Sequence, residues 1–317
     1  MKIILLGSSE PYKGEKMKDL VIIGSGPAGL SAAIYAKRAA MDVVLVEKEA
    51  YSGGQIVNAE KVDNYLGLNG VSGYELATRF REHVDALGVE FIRGEAAEIT
   101  EDDNEKTVKL SDGREIKTSN IIIATGAGHK KLGAIGEMEF TGLGVSYCAT
   151  CDGAFFRNRD VAVVGGGNTA LQEALYLSGI CGRVYLINRR KELRASKSLQ
   201  DKVFSKDNIT FLPDYNVREL KGSEFLETAV LQETASEETR EISVSGLFVA
   251  VGMAPATDFV KSLVNRDERG YIIAGEDCRS NVPGIYAAGD CRTKAVRQLI
   301  TAAADGAAAV SSIEHSV

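Results

Sequence analysis

The sequence has no tryptophan and only three histidines. A metal cluster built on several histidines is therefore not expected, and no metal site is assigned. Its five cysteines in 317 residues are neither even in number nor dense, which excludes a structural disulfide framework. Positive charge is in the minority: 37 Lys and Arg stand against 44 Asp and Glu, a net charge of −7. Such a chain lacks the electrostatic footprint of a nucleic-acid binder. No apolar run approaches the ~20 residues of a membrane helix. The apolar start at Ile3 to Leu6 stops at Gly7 with no small-residue cleavage site after it, short of the ~7–15 residues of a signal core. The expected location is the cytoplasm, with neither membrane nor nucleic acid as a partner.

Glycine is the residue in excess, with 33 copies. Spread along a globular chain, it points to tight strand-to-helix turns and close backbone approach to ligands. The length fits about two domains of ~100–200 residues each. Hydrophobic residues at 44% and charged residues at 26% match a soluble globular chain.

Two segments share one pattern. Asp19 to Gly29 is a short apolar strand ending in a glycine turn (Gly24, Ser25, Gly26, Pro27, Ala28, Gly29), followed by an Ala-rich helix over 30–40. Val161 to Ala170 repeats it with Gly165, Gly166, Gly167, Asn168, Thr169 and Ala170, and a helix over 171–178. Each leads to a β-rich run, at 43–46 and 184–187. This is the βαβ start of a dinucleotide fold, occurring twice. The stretch 90–110 reads as a hairpin, with Asp112-Gly113 as a turn signal. The runs 121–126 and 247–251 each close on a glycine, Gly126 and Gly252. A strand and turn at 285–290 and an Ala-rich helix over 297–310 end the fold.

The predicted class is α/β, with two Rossmann-like dinucleotide-binding domains, one inserted into the other. The boundaries are an N-terminal extension at 1–16, a first domain formed by 17–129 and 253–317, and an inserted domain at 130–252. The extension is read with equal weight as a dispensable tail or an extra strand.

Glycines at such a turn let a pyrophosphate approach a helix N-terminus, where free N–H groups and the dipole favour anions. An acidic residue about 20 positions on accepts from a ribose hydroxyl. In the first motif that residue is Glu47, which suits a ribose with free hydroxyls. In the second motif the place holds Asn188, Arg189 and Arg190, with Arg194 following. Arginines there suit a 2′-phosphate. One site therefore reads FAD or NAD and the other NADP.

Cys148 and Cys151 form a Cys-x-x-Cys pair just before the second motif, able to open and close a disulfide. Asp152 adjoins it as a proton donor or acceptor, or equally as an ordinary N-cap or turn aspartate. Cys181, Cys278 and Cys291 read as buried small residues or free surface thiols.

Taken in order, the first glycine turn, Gly53-Gly54-Gln55-Ile56, Asp63-Asn64-Tyr65, Ala124-Thr125-Gly126, the Cys148–Gly153 run, the second glycine turn, the arginines and Ala288-Gly289-Asp290 with Arg297-Gln298 resemble the low-molecular-weight thioredoxin reductases of bacteria. The resemblance covers about residues 18–312. It implies a homodimeric oxidoreductase with FAD and NADPH as cofactors, whose NADPH domain rotates against the FAD domain and whose partner is thioredoxin. By that resemblance FAD is held by Gly24, Ser25, Gly26, Pro27, Ala28, Gly29, Glu47, Gly54, Gln55, Asn64, Thr125, Gly126, Gly289, Asp290, Arg297 and Gln298. NADPH is held by Gly167, Asn168, Thr169, Ala170, Arg189, Arg190, Arg194, Val251 and Gly252. Cys151 faces the flavin and Cys148 attacks thioredoxin, with Asp152 as acid or base. The family often has His where this chain has Asn188. The alternatives are a related flavoprotein serving a glutaredoxin-like or peroxidase-linked protein, and a redox sensor. The arginines argue against a ferredoxin-fed form.

Overall fold

The computed structural model describes residues 16–59, 61–68, 70–102 and 105–316. The extension expected at 1–16 lies outside them except for Lys16. The chain divides into two compact units, one formed by 1–128 and 254–317 and the other by 129–253.

The first unit opens with β1 (Lys18–Ile23), α1 (Pro27–Arg38) and β2 (Val43–Glu47). It continues through α2 (Gly73–Ala86), β3 (Glu90–Arg93), β4 (Ala96–Asp102), β5 (Glu105–Leu110) and β6 (Glu115–Ile123). β7 (Ala127–His129) carries the chain out of it. The second unit holds β8 (Val145–Ser146), α3 (Ala149–Asp152), β9 (Val161–Val164), α4 (Asn168–Ser178), β10 (Val184–Asn188) and α5 (Lys197–Phe204). It ends with β11 (Ile209–Pro213), β12 (Tyr215–Gly222), β13 (Leu226–Glu233), β14 (Thr239–Ser243) and β15 (Gly246–Val249). β16 (Met253–Pro255) returns the chain, and β17 (Ile285–Ala287) and α6 (Leu299–Glu314) complete the first unit.

The first unit is a seven-stranded sheet of order β3-β2-β1-β6-β5-β4, with β17 also on β6. β1, β2, β3, β6 and β17 run parallel; the hairpin expected over 90–110 is only its later part, β4 and β5, since 90–93 are the parallel β3, and the Asp112-Gly113 turn leads from β5 into antiparallel pairing with β6. β5 and β17 take successive halves of one edge of β6: Lys106 to Lys109 lie opposite 115–118, and Ile285 to Ala287 lie opposite 121–123. Leu20, Val21, Ile22 and Ile23 are all buried, because helices and further strands cover both faces. Leu20, Ile22 and Leu45 face α1 and α6, while Val21, Ile23, Val44 and Val46 face Ile116, Val260 and Ile272.

The second unit repeats the plan. Its five parallel strands run β11-β10-β9-β15-β8, beside an antiparallel β12-β13-β14 sheet. Val161 and Val163 face α4, and Ala162 and Val164 face the antiparallel sheet. Both units are thus Rossmann-like, each built on a strand, a glycine turn, a helix and a parallel strand.

The C-terminal helix starts later than the sequence pattern implies. Arg297 and Gln298 lie outside it. Gln298 is the N-cap, and its side chain and that of Thr301 form a reciprocal capping box. The two residues are therefore free to face the cavity described next.

Candidate functional site

In the first unit a cavity of about 730 Å³ opens at the C-terminal ends of β1, β2 and β6. It is the crevice where a parallel α/β sheet takes its ligands. Of the positions expected to hold FAD, all line it except Gly29 and Asn64. Gly24 adopts φ +105°, and a Cβ there would stand 2.5 Å from the Ala124 carbonyl oxygen. Only glycine makes this turn without strain. Gly29 is a packing position instead, since a Cβ would meet the Gly24 carbonyl oxygen at 1.9 Å. Asn64 donates to Gln298 Oε1 at 3.0 Å, so it touches a lining residue without lining the cavity itself.

Glu47 is buried at the end of β2. Its Oε2 accepts from the Ser25 N–H at 2.7 Å and the Ser25 hydroxyl at 2.6 Å, and its Oε1 accepts from the Glu49 N–H. The carboxylate thereby locks the glycine turn. Each of its oxygens has two lone pairs, which leaves acceptor capacity for a ribose hydroxyl. Gln55 donates to the Ala127 carbonyl, and Thr125 donates to the Ala256 carbonyl at 2.7 Å.

Asp290 and Arg297 carry the clearest mark of a ligand site. Asp290 Oδ1 and Arg297 Nε are buried, and neither has a hydrogen-bond partner among the described residues. Burial pushes the Asp290 carboxyl above its usual range, against the pull of Lys294 and Arg297. Buried polar atoms left unpaired are costly, and both residues face the cavity. Arg297 is held by stacking over Tyr271 at 4.0 Å and by donating to the Lys294 and Arg292 carbonyls.

What fixes the Asp290 turn was not among the expected site residues. Asp305, in the middle of Ala-rich α6, accepts from Arg292 at 2.8 and 2.9 Å, from Lys294 at 2.8 Å and from the Gly289 N–H at 2.8 Å. Burial opposes its charge, but the hydrogen bonds from Arg292, Lys294 and Gly289 outweigh it and hold the carboxyl below its usual range. One signal was available: apart from Glu314 at its end, Asp305 is the only charged residue of that helix.

In the second unit the glycine turn opens α4 with no side-chain cap among the described residues, which leaves its first N–H groups open to a ligand. The loop after β10 is stitched to this turn. Arg194 and Ala195 N–H donate to the Gly166 carbonyl at 2.7 and 3.1 Å, and the Ser196 N–H donates to Asn168 Oδ1 at 2.8 Å. Arg189, Arg190 and Arg194 are exposed, and none is in an ion pair among the described residues. Asn188 does not reach outward with them. Its amide donates to the Arg190 and Glu192 carbonyls at 2.7 and 3.2 Å and holds the loop's shape. Ala170 is buried in the core, so only its backbone faces the turn, while Asn168 and Thr169 are exposed. The Gly252 carbonyl accepts from the Lys130 N–H at 2.9 Å, and Val251 packs against the core.

Cys148 and Cys151 form a disulfide with Cα atoms 5.4 Å apart. Cys148 is the N-cap of α3, and its Sγ accepts from the Cys151 N–H at 3.3 Å. Asp152 is therefore not the cap of that helix. Its Oδ2 accepts from the Ser146 hydroxyl at 2.6 Å, and Ser146 Oγ in turn accepts from the Cys148 N–H at 3.1 Å. Ser146, which the sequence pattern does not single out, links Asp152 to the pair. Cys181, Cys278 and Cys291 are free and buried, and burial first of all raises their thiols to about 11, 12 and 11.

Comparison with known proteins follows the same lines. A family model described as pyridine nucleotide-disulphide oxidoreductase matches residues 18–306. The chain is 43% identical over 293 residues to a thioredoxin reductase of Listeria innocua, covering 92% of this chain and 91% of the relative. It is 39% identical over 304 residues to the thioredoxin reductase of Bacillus subtilis, covering 96% of each. Among solved structures it resembles Lactococcus lactis thioredoxin reductase, with a TM-score of 0.76 and 41% identity over 94% of this chain and 98% of that one.

Proposed function

The chain belongs to the pyridine nucleotide-disulphide oxidoreductase family, and from that premise we propose that it is an NADPH-dependent flavoprotein that reduces the disulfide of thioredoxin. The observation that carries this reading is the Cys148–Cys151 disulfide, set in the same unit as the second glycine turn and its three exposed arginines. The relatives' names favour thioredoxin over a glutaredoxin-like or peroxidase-linked acceptor and over a sensor. We assign 17–129 and 253–317 to FAD and 130–252 to NADPH, with 1–16 as an extension.

The first cavity suits FAD. Glu47 would take a ribose hydroxyl, the N-terminus of α1 the pyrophosphate, and the unpaired Asp290 Oδ1 and Arg297 Nε the polar groups deeper in. Gln55, Thr125, Gly126 and Gln298 would border the ring system. Bound there, FAD supplies the two-electron chemistry between a nicotinamide and a disulfide. The free N-terminus of α4 would take the NADPH pyrophosphate, and Arg189, Arg190 and Arg194 its 2′-phosphate.

The pair accepts two electrons as its S–S bond opens, and two protons are taken up at the site. Cys148 then attacks the partner disulfide as a thiolate, which the Cys151 N–H supports. Cys151 closes on Cys148, reforming the disulfide and releasing both partner thiols. Asp152 is joined through the Ser146 hydroxyl to the Cys148 backbone amide, which fixes it beside the pair, and the family resemblance assigns it the proton traffic. The enzyme is read as a cytoplasmic homodimer, and no helix among the described residues is long and apolar enough to cross a membrane.

The test is NADPH oxidation by the purified holoenzyme with thioredoxin, a glutaredoxin or no acceptor. Rapid turnover with thioredoxin alone is expected. Equal turnover with NADH, or none with thioredoxin, contradicts the reading.

A further inference from the structure

Beneath the disulfide turn lies a carboxyl that the mechanism above does not use. Glu173 stands on α4, which packs against α3. The Ala149 N–H, one residue beyond Cys148, hydrogen-bonds its carboxyl, and Ala149 is 1% exposed. The Glu173 Oε2 atom is buried and has no hydrogen-bond partner among the described residues.

We propose that Glu173 is a positioning residue for the Cys148–Cys151 pair, anchoring the first amide of its turn and holding a proton while the pair is reduced. The inference rests on reading that pair as redox-active. Burial pushes the Glu173 carboxyl up to about 7, opposed only by the Ala149 amide. The elements packed against α4 carry Asp152 on α3, Lys197, Asp201 and Lys202 on α5 and Tyr185 on β10. None of these charges contributes to the shift. The carboxyl therefore titrates near neutral pH, chiefly because it is desolvated.

The coupling follows from charge. A carboxylate on the Ala149 amide and a thiolate on Cys148 would place two negative charges on one four-residue turn. Each disfavours the other. The opened pair thus takes two electrons and two protons as follows: one proton goes to a sulfur, the other to the Glu173 carboxylate, and the second sulfur stays as thiolate. When that thiolate attacks a partner disulfide and the pair closes again, both protons leave with the released thiols. Because the linkage is reciprocal, removing the Glu173 charge must make the thiolate easier to form.

The test uses the full-length holoenzyme reduced with dithiothreitol and freed of it, without NADPH or thioredoxin. Alkylation by iodoacetamide of the peptide bearing the pair is followed from pH 6 to pH 8.5 in the native protein, Glu173→Gln and Glu173→Ala. Glu173→Gln keeps an acceptor for the Ala149 N–H and loses only the charge. Its alkylation rate should equal the native rate near pH 6, where the native carboxyl is protonated, and exceed it several-fold at pH 8. Glu173→Ala should share this pH-dependent gain, whatever its loss of stability. A ratio that does not change with pH, or a slower Glu173→Gln at pH 8, overturns the proposal. Since no thioredoxin is present, failure of the substrate reading in the turnover assay would leave this result untouched, and the reverse also holds.

Discussion

Arg189, Arg190 and Arg194 are exposed guanidiniums with no ion pair among the described residues, on a loop stitched to the mouth of a helix N-terminus. Their charge is uncommitted within the fold and is available to a 2′-phosphate. Losing one charged hydrogen bond costs about 1.5–3 kcal/mol, roughly ten- to a hundredfold in affinity. Arg189→Ala with Arg190→Ala should therefore raise the KM for NADPH at least tenfold and leave that for NADH nearly unchanged. Steady-state kinetics with both nucleotides measure this, and a parallel rise in both would assign the arginines to the fold. These arginines were legible because like charges gathered where a second strand ends. Asn188 was legible only as a departure, and its true work, bracing the loop through the Arg190 and Glu192 carbonyls, needs the loop's path. Ser146 and Glu173 carry no local pattern, and Asp305 only that of a lone charge in an Ala-rich helix. Each acts through a partner brought near by the fold, and only their burial and bonding reveal them.

At the scale of elements, the two strand–turn–helix–strand units were legible because the chemistry is local. Short apolar runs such as Val43 to Val46 of β2, all four buried, report strands covered on both faces. Helix ends were less legible. The Ala-rich pattern runs on to Arg297, yet the Gln298–Thr301 capping box starts α6 at Leu299. The contribution of α6 to the site also escaped the pattern. Asp305 projects from it into a cluster with Arg292 and Lys294, whose side chains are 8%, 3% and 6% exposed. Removing one partner of a buried ion pair typically costs about 3–5 kcal/mol. Asp305→Ala should lose that much in denaturant unfolding at pH 7 and should bind FAD less tightly, since the Gly289 turn loses its anchor. The folded-state pKa of Asp305 is depressed, so its stabilisation is present above the unfolded value and is lost as pH falls through the folded one. The stability gap between the native protein and Asp305→Asn should accordingly close on acidification below about pH 4. A gap of the same size at pH 7 and pH 3 would show that packing, not charge, is what the residue supplies.

Across the whole molecule, the sequence announced two dinucleotide folds because one motif occurs twice, and it separated them by charge: Glu47 after the first strand pair, arginines after the second. The insertion of one unit into the other was legible because the closing strand and helix, at 285–290 and beyond, have no sheet of their own and complete the first. What such a chain can do as a whole depends on one claim, that electrons leave it through Cys148 and Cys151. The most direct measurement follows the flavin absorbance and NADPH oxidation in parallel for Cys148→Ser and Cys151→Ser. Hydride transfer to the flavin uses no sulfur, so NADPH should still bleach the flavin in both variants while turnover of thioredoxin falls to background. Cys151→Ser should also trap a mixed disulfide through Cys148 with a thioredoxin that lacks its resolving cysteine. Sustained thioredoxin turnover in either variant would contradict the account.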